Sequence, residues 1–514
     1  MPQLHLFGPL WQLLILYFAA TIFFSTFAAT FNATNMGSLI GRKEEQARLE
    51  RLYNSEKSEF VAIYGRRRVG KTFLVTETFN NRFAFKHTGL SPYDKTTPIT
   101  MKDQLQAFHY SLILFGEDGE LTCPKSWLEA FFRLKSLLAK KKSKGKQVVF
   151  IDELPWMDTP KSKFLSAFEN FYNGWAADEN ILLIICGSSS SWILDNIIEN
   201  RGGLYNRLTC QIKLSPFSLK ETEDFFRHKN ISLGRYDIVR TYMALGGIPY
   251  YLSYFVPGKS VEQNIDDILF REQAPLKGEF KRLFNTLFAH GEKYMDIVRA
   301  LSKRNYGFTR SEIAQNAGVP YGGGLSTMLK MLVEADFVEE YVRVFGSPKQ
   351  PLYRLKDCFC IFYLKYLDGR GKLDEHFWQN SARQKGINAW EGIAFERICQ
   401  SHIQPIKNAL GISGVTTQTS NFIVSGDETK RGAQVDLLID RADNNINLCE
   451  MKFYSGDFTL DKDGERELRN KVSSIREKIG WKKNIFPTLI TTYGLKNNAY
   501  SGIFQTVLTL DDLF

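Results

Sequence analysis

The chain has 514 residues, 44% apolar and 24% charged, too long for one hydrophobic core and of a size that implies three or four domains. Its formal charge of +10 comes from 66 Lys and Arg against 56 Asp and Glu spread over the whole length, which permits nucleic-acid contact without demonstrating it. Seven cysteines, with no paired C-x-x-C spacing, exclude a disulfide-built secreted scaffold and favour a cytoplasmic protein with reduced thiols.

In chain order, Leu10 to Ala29 comes first, 20 uncharged and largely apolar residues, long enough to cross a bilayer. No Lys or Arg precedes Arg42, so the positive flank of a signal peptide is missing. Two readings stay open. Residues 10–29 form a single span with Arg42 and Lys43 on the cytoplasmic side, or residues 1–36 are a non-native start, since Met36 immediately precedes a natural domain beginning, Gly37-Ser-Leu-Ile-Gly-Arg-Lys-Glu-Glu45.

Leu39 to Leu52 reads as a turn entering an amphipathic helix, and Phe60 to Tyr64 as an apolar strand. The strand feeds Gly65-Arg66-Arg67-Arg68-Val69-Gly70-Lys71-Thr72, a G-x-x-x-x-G-K-T loop opening a helix. Backbone N–H groups at such a loop close around phosphates. Lys71 offers a point charge to the β and γ groups of ATP, and the Thr72 hydroxyl can ligate Mg²⁺. Helices are expected from about 75 to 145, ending in Lys140, Lys141, Lys142, Lys144 and Lys146, which reads as a solvated turn in preference to a DNA contact.

Gln147 to Asp152 is a second apolar strand, ending in two carboxylates. Asp152 would hold Mg²⁺, and Glu153 would polarise the attacking water as general base. A third strand, Ile181 to Gly187, runs into Ser188-Ser-Ser-Ser-Trp192, where Ser188 can sense the γ-phosphate. These three segments resemble the AAA+/STAND group of P-loop ATPases, and in particular its prokaryotic branch with a winged helix and a nuclease-like tail. The resemblance implies a charge-stabilising arginine after the third strand. Arg207, in Arg201-Gly-Gly-Leu-Tyr-Asn-Arg-Leu-Thr209, occupies that place, with Asn206 where the family usually has Gly.

Leu214 to about 285 reads as a helical lid, with a capping box from Ser218 to Glu221 and Gly246-Gly-Ile-Pro249 resembling the family's G-G-x-P segment. Met295 to Ser302, Thr309 to Ala317 and Gly324 to Ala335 read as three helices, and Phe337 to Phe345 with Pro351 to Leu355 as a hairpin, together a winged helix. The third helix offers Ser326, Thr327 and Lys330 to DNA.

Beyond Gly369, a helix over Trp390 to Cys399 precedes the strands Gln434 to Asp440 and Ile446 to Phe453. A hairpin centred on Asp443 puts Asp436 opposite Glu450, and the period of two puts Lys452 on the same face. Two carboxylates and an ammonium on one patch suit a divalent metal with oxygen ligands and a cleaved phosphate. The D-x13-E-x-K pattern resembles the PD-(D/E)XK nucleases, which implies a further glutamate ligand on the first helix, either Glu396 or, failing that, Glu391.

The expected fold is α/β: a P-loop NTPase core (37–215), a helical lid (216–285), a winged-helix domain (286–368) and a restriction-endonuclease-like α/β domain (369–514). The expected function is Mg²⁺-dependent ATP binding and hydrolysis, with sequence-independent DNA and further copies of the chain as partners. The tail is either a metal-dependent nuclease or an inactive module of a regulatory switch ATPase.

Overall fold

The computed structural model describes residues 39–514 apart from 93–97, 120–121, 142–144, 200–201, 289, 372–373, 382–383 and 425–431. The apolar stretch 10–29 lies outside the described residues. Among the described ones, no helix is long and apolar enough to cross a membrane. Gly41–Phe514 is one compact unit.

Helix α1 (Lys43–Tyr53) leads into β1 (Glu59–Tyr64), α2 (Lys71–Thr78), β2 (Phe85–Thr88), α3 (Met101–Leu114), α4 (Trp127–Lys140), β3 (Gln147–Asp152), α5 (Phe164–Asn173), β4 (Ile181–Gly187) and β5 (Cys210–Lys213). All five strands are parallel, in the order β2-β3-β4-β1-β5. Every residue of β1 and β4 is buried, which is why both read as unbroken apolar runs: helices cover both faces of a parallel sheet. Phe60, Phe85, Phe108, Trp127, Phe131 and Phe168 form the aromatic heart of one layer. Because β4 lies between β1 and β3, the carboxyl ends of all three open on one edge, bringing together the loops after Tyr64, Asp152 and Gly187.

Two helices follow, α6 (Leu219–His228) and α7 (Arg235–Leu245), the first begun by a complete Ser218–Glu221 capping box. Helix α8 (Glu279–Leu287) precedes α9 (Gly291–Ser302), α10 (Arg310–Ala317) and α11 (Gly323–Glu334), then the antiparallel pair β6 (Val338–Tyr341) and β7 (Leu352–Leu355). The three helices and the hairpin occur as elements, with α9 starting four residues before Met295 and β6 shorter than Phe337 to Phe345.

Helix α12 (Cys358–Tyr366) and α13 (Lys385–Ser401) lead to a second sheet of β8 (Thr417–Val424), β9 (Ala433–Arg441), β10 (Asn445–Lys452), β11 (Asn484–Thr491) and β12 (Thr506–Leu508), with α14 (Lys462–Ile479) as the crossover between β10 and β11. The order β12-β11-β10-β9-β8 is antiparallel from β8 to β10 and parallel from β10 to β12. Val344, beyond β6, shares a core with Phe422, Val435, Leu468 and Ile475, so the hairpin is packed onto this sheet.

Candidate functional site

The phosphate loop has the backbone its motif demands. Gly65 (φ +136°), Arg68 (φ +73°) and Gly70 (φ +92°) all lie at positive φ, and a Cβ on Gly65 would sit 2.3 Å from the Leu214 carbonyl oxygen. Lys71 Nζ donates to the carbonyls of Gly65 and Arg66, both at 3.0 Å, which folds the loop around its own lysine. Burial lowers the Lys71 pKa, and Glu153 and Asp152 partly oppose that shift. Phosphate oxygens, with their greater charge, are competent to take those two donors over.

Thr72 Oγ1 donates to Asp152 Oδ2 at 2.7 Å. Asp152 is 5% exposed, and burial followed by the Glu153 charge raises its pKa. A hydroxyl and a buried carboxylate with an unfavourable neighbour fit the needs of a hard divalent cation. Glu153 sits at φ +48°, an uncommon conformation for a non-glycine residue. Its Oε2 accepts from both the backbone N and the Oγ of Ser188, each at 2.9 Å. Ser188 therefore holds Glu153 in this conformation, its hydroxyl engaged there.

The three loop arginines go three ways. Arg66 is fully buried and turned away from the cradle, its Nε 2.7 Å from Asp357 Oδ2, with its guanidinium 5.5 and 5.2 Å from the rings of Tyr251 and Phe337. Burial is the largest single influence and opposes its charge, but Asp357 together with Tyr251 and Cys360 raises its pKa on balance. Asp357 also caps α12, accepting from Cys360 N at 2.8 Å. Arg68 Nε lies 3.1 Å from Glu279 Oε1 and its guanidinium 4.3 Å from the Tyr250 ring centre. The wholly buried Glu279 also accepts from Tyr251 Oη at 3.1 Å. Arg67 is half-buried, near enough to Lys71 for its charge to join burial in lowering that lysine's pKa.

A cavity of about 720 Å³ lies between Gly41–Glu45, Ser215–Glu221 and Gly246–Ile248 on one side and Lys356–Cys358 and Ser401–Pro405 on the other. Arg42 ties its wall to the loop, donating to Ser215 O at 2.5 Å and Val69 O at 3.5 Å. It has the dimensions of a small-molecule pocket.

Arg207 is a correction. Thr209 N donates to Phe60 O, and Cys210 pairs with Val61, so the segment before β5 lies at the amino end of β1, opposite the phosphate loop. Arg207 is exposed there and cannot reach a nucleotide held by its own chain. On α11, Lys330 Nζ lies 2.9 Å from Asp195, and Ser326 Oγ accepts from Arg310. Thr327 Oγ1 donates to the Gly323 carbonyl. All three polar groups expected to face DNA are engaged within the chain.

In the second sheet the register pairs Ile446 with Asp440 and Cys449 with Leu437, which leaves Asp436 opposite Glu450 one step on. Lys452 Nζ is 3.6 Å from Glu450 Oε2. Asp436 Oδ2 accepts weakly from Met451 N at 3.4 Å, and its pKa is pushed up to about 6 by burial and then Glu450. Glu396, on α13, is pushed up to about 8 by burial and then Asp436, and Asn305 donates to it at 3.1 Å. The fallback Glu391 is out of play, bound to Arg240 Nε at 2.8 Å. Sequence reasoning missed Lys471, whose ammonium pairs closely with Glu450 Oε1 from α14. Its spacing from the buried Leu468 and Ile475, three before and four after, was the available signal. A cavity of about 540 Å³ opens beside Asp436, lined by Gln434, Arg466, Asn470 and Lys471. Among the described residues, no three His, Cys, Asp or Glu side chains are gathered as a metal site in this conformation.

Residues 39–255 match the profile of an ATPase domain found predominantly in archaea. An uncharacterised protein of Methanocaldococcus jannaschii is 25% identical over 423 residues, 80% of this chain and 87% of that protein. An uncharacterised ATP-binding protein of the same organism is 24% identical over 261 residues, 44% of this chain and 71% of its own length. Among solved structures, the Walker-type ATPase of Pyrococcus abyssi is similar at 19% identity (TM-score 0.46, 65% of this chain, 97% of that one). The ORC2 protein of Aeropyrum pernix is similar at 12% identity (TM-score 0.40, 64% and 94%). Residues 39–255 are thus an archaeal-type ATPase domain on a parallel α/β sheet.

Proposed function

We propose that the chain is a Mg²⁺-dependent ATP hydrolase of AAA+/STAND type. The observation that carries this reading is the convergence of Lys71, Thr72, Asp152, Glu153 and Ser188 at one edge of the parallel sheet, with Thr72 and Asp152 2.7 Å apart. Lys71 and the N–H groups of the loop bind the phosphates, and the 720 Å³ cavity beyond Arg42 takes the base. Thr72 and Asp152 would hold Mg²⁺, which neutralises charge on the transferred phosphoryl group. Glu153, once released by Ser188, takes the proton of the attacking water. Lys71→Ala removes the loop's only ammonium, and equilibrium binding of a fluorescent ATP analogue should fall below detection. Binding at wild-type affinity would refute the assignment.

Arg207, remote from its own phosphate loop, has no part in this reading, and further copies of the chain stand as proposed partners. Residues 216–285 then serve as lid, 286–368 as winged helix and 369–514 as a PD-(D/E)XK-like domain, with DNA as partner. The convergence of Asp436, Glu450 and Lys452, with Glu396 behind them, supports a metal-dependent phosphodiesterase. The clasp of Glu450 by Lys452 and Lys471, and the strut from Arg66 to Asp357, support instead a regulatory switch whose tail binds without cutting. Cleavage of DNA with Mg²⁺ or Mn²⁺, lost in Asp436→Ala, supports the first; a wild-type chain that binds DNA and cuts none supports the second.

A further inference from the structure

A cavity of about 890 Å³ opens beside Arg67 and Arg68 of the phosphate loop, without Lys71 or Thr72 in its lining, and no role above uses it. The loop contributes Arg67 and Arg68, α8 contributes Lys281 and Arg282, and the start of α9 contributes Lys293. Against these five cations stand two carboxylates, Glu279 and Glu292. Glu279 is already engaged, by Arg68 at 3.1 Å and Arg282 at 3.5 Å. Among the described residues, Arg67, Lys281 and Lys293 have no ion-pair partner, and both lysines are exposed. The two helices are drawn together at Gly291, where a Cβ would lie 2.6 Å from Asn285 Oδ1 and 2.9 Å from Asn285 N, so the walls are fixed by backbone contact.

We propose that this chamber binds the phosphodiester backbone of a single nucleic-acid strand. Uncompensated cations converging on one concavity raise the local concentration of an extended polyanion. Guanidinium forks match phosphate oxygens in pairs. Of the lining side chains only Pro92, Leu283 and Phe288 are hydrophobic, fewer than the five cations. The proposal rests on the nucleic-acid partner inferred above and moves the contact from α11, whose Lys330 is engaged, to the loop that holds ATP.

The test is fluorescence anisotropy of the full chain with a labelled single-stranded oligonucleotide, across a salt series. Lys281→Glu with Lys293→Glu should weaken binding at least tenfold and flatten the slope of log K against log salt by about 1.4, at about 0.7 per lost phosphate contact. Affinity for a fluorescent ATP analogue should not change, which verifies folding. Lys71→Ala should lose the nucleotide and keep the strand. An unchanged strand affinity in the double variant, or tighter binding of polyglutamate than of the oligonucleotide, overturns the proposal. Failure of the wild type to bind nucleotide would instead overturn the ATPase reading.

Discussion

Asp357→Asn isolates the strut that joins the phosphate loop to the second half of the chain. Asparagine keeps an oxygen that can accept from Cys360 N, so the cap of α12 survives, while the charge facing Arg66 is lost. Arg66 is wholly buried, and removing one partner of a buried ion pair costs about 3–5 kcal/mol, because the remaining charge has no solvent to turn to. Several domains are in play and a single unfolding free energy is not defined, so a local readout is needed. Hydrogen exchange resolved to peptides covering Cys358–Tyr366 and Gly65–Thr78 provides one. At about 1.4 kcal/mol per tenfold, exchange there should accelerate by about 10² to 4 × 10³-fold, with β9 and β10 little changed as internal control. Asp357→Ala should add about 1 kcal/mol through the lost cap, and Arg66→Met with Asp357→Leu should recover most of the loss. Exchange within threefold of wild type in Asp357→Asn would refute the reasoning.

Ser188→Ala leaves one donor on Glu153 and should lower kcat about tenfold with KM unchanged, because a misdirected base costs rate and not binding; a raised KM with kcat intact would place Ser188 on the nucleotide instead. Glu396 and Asp436 are carboxyls with raised folded-state pKa values, about 8 and about 6, so the folded state retains protons that the unfolded chain releases. Their contribution is therefore most favourable below about pH 4 and is lost as pH rises from about 4 to about 8; Glu396→Gln with Asp436→Asn should remove that decline from the thermal midpoint, and an unaltered pH slope would contradict it.

The parts legible in the sequence are those whose signal is contiguous. Gly65 to Thr72 and Val149 to Glu153 each carry strand, turn and chemistry within a few residues. The hairpin register was equally local, because two strands around Asp443 fix Asp436 and Glu450 by arithmetic. What stayed hidden depends on residues far apart in the chain. Nothing near Arg66 distinguishes it from Arg67 and Arg68, and its partner lies 291 positions on, at Asp357. The engagement of Lys330 by Asp195 and the chamber built by α8, α9 and the loop are likewise tertiary facts. Arg207 was misjudged for a related reason: its order in the chain says that it follows the third strand, but not at which end of the parallel sheet it lies.

The central claim is that the two carboxylates after β3 divide the work, Asp152 with Thr72 for the cation and Glu153 for the water. Glu153→Gln measures this most directly, with turnover and nucleotide affinity followed on the same sample. ATP should bind within about threefold of wild type while hydrolysis slows by about 10²-fold or more, the usual scale for a lost general base. Turnover at the wild-type rate would contradict the account.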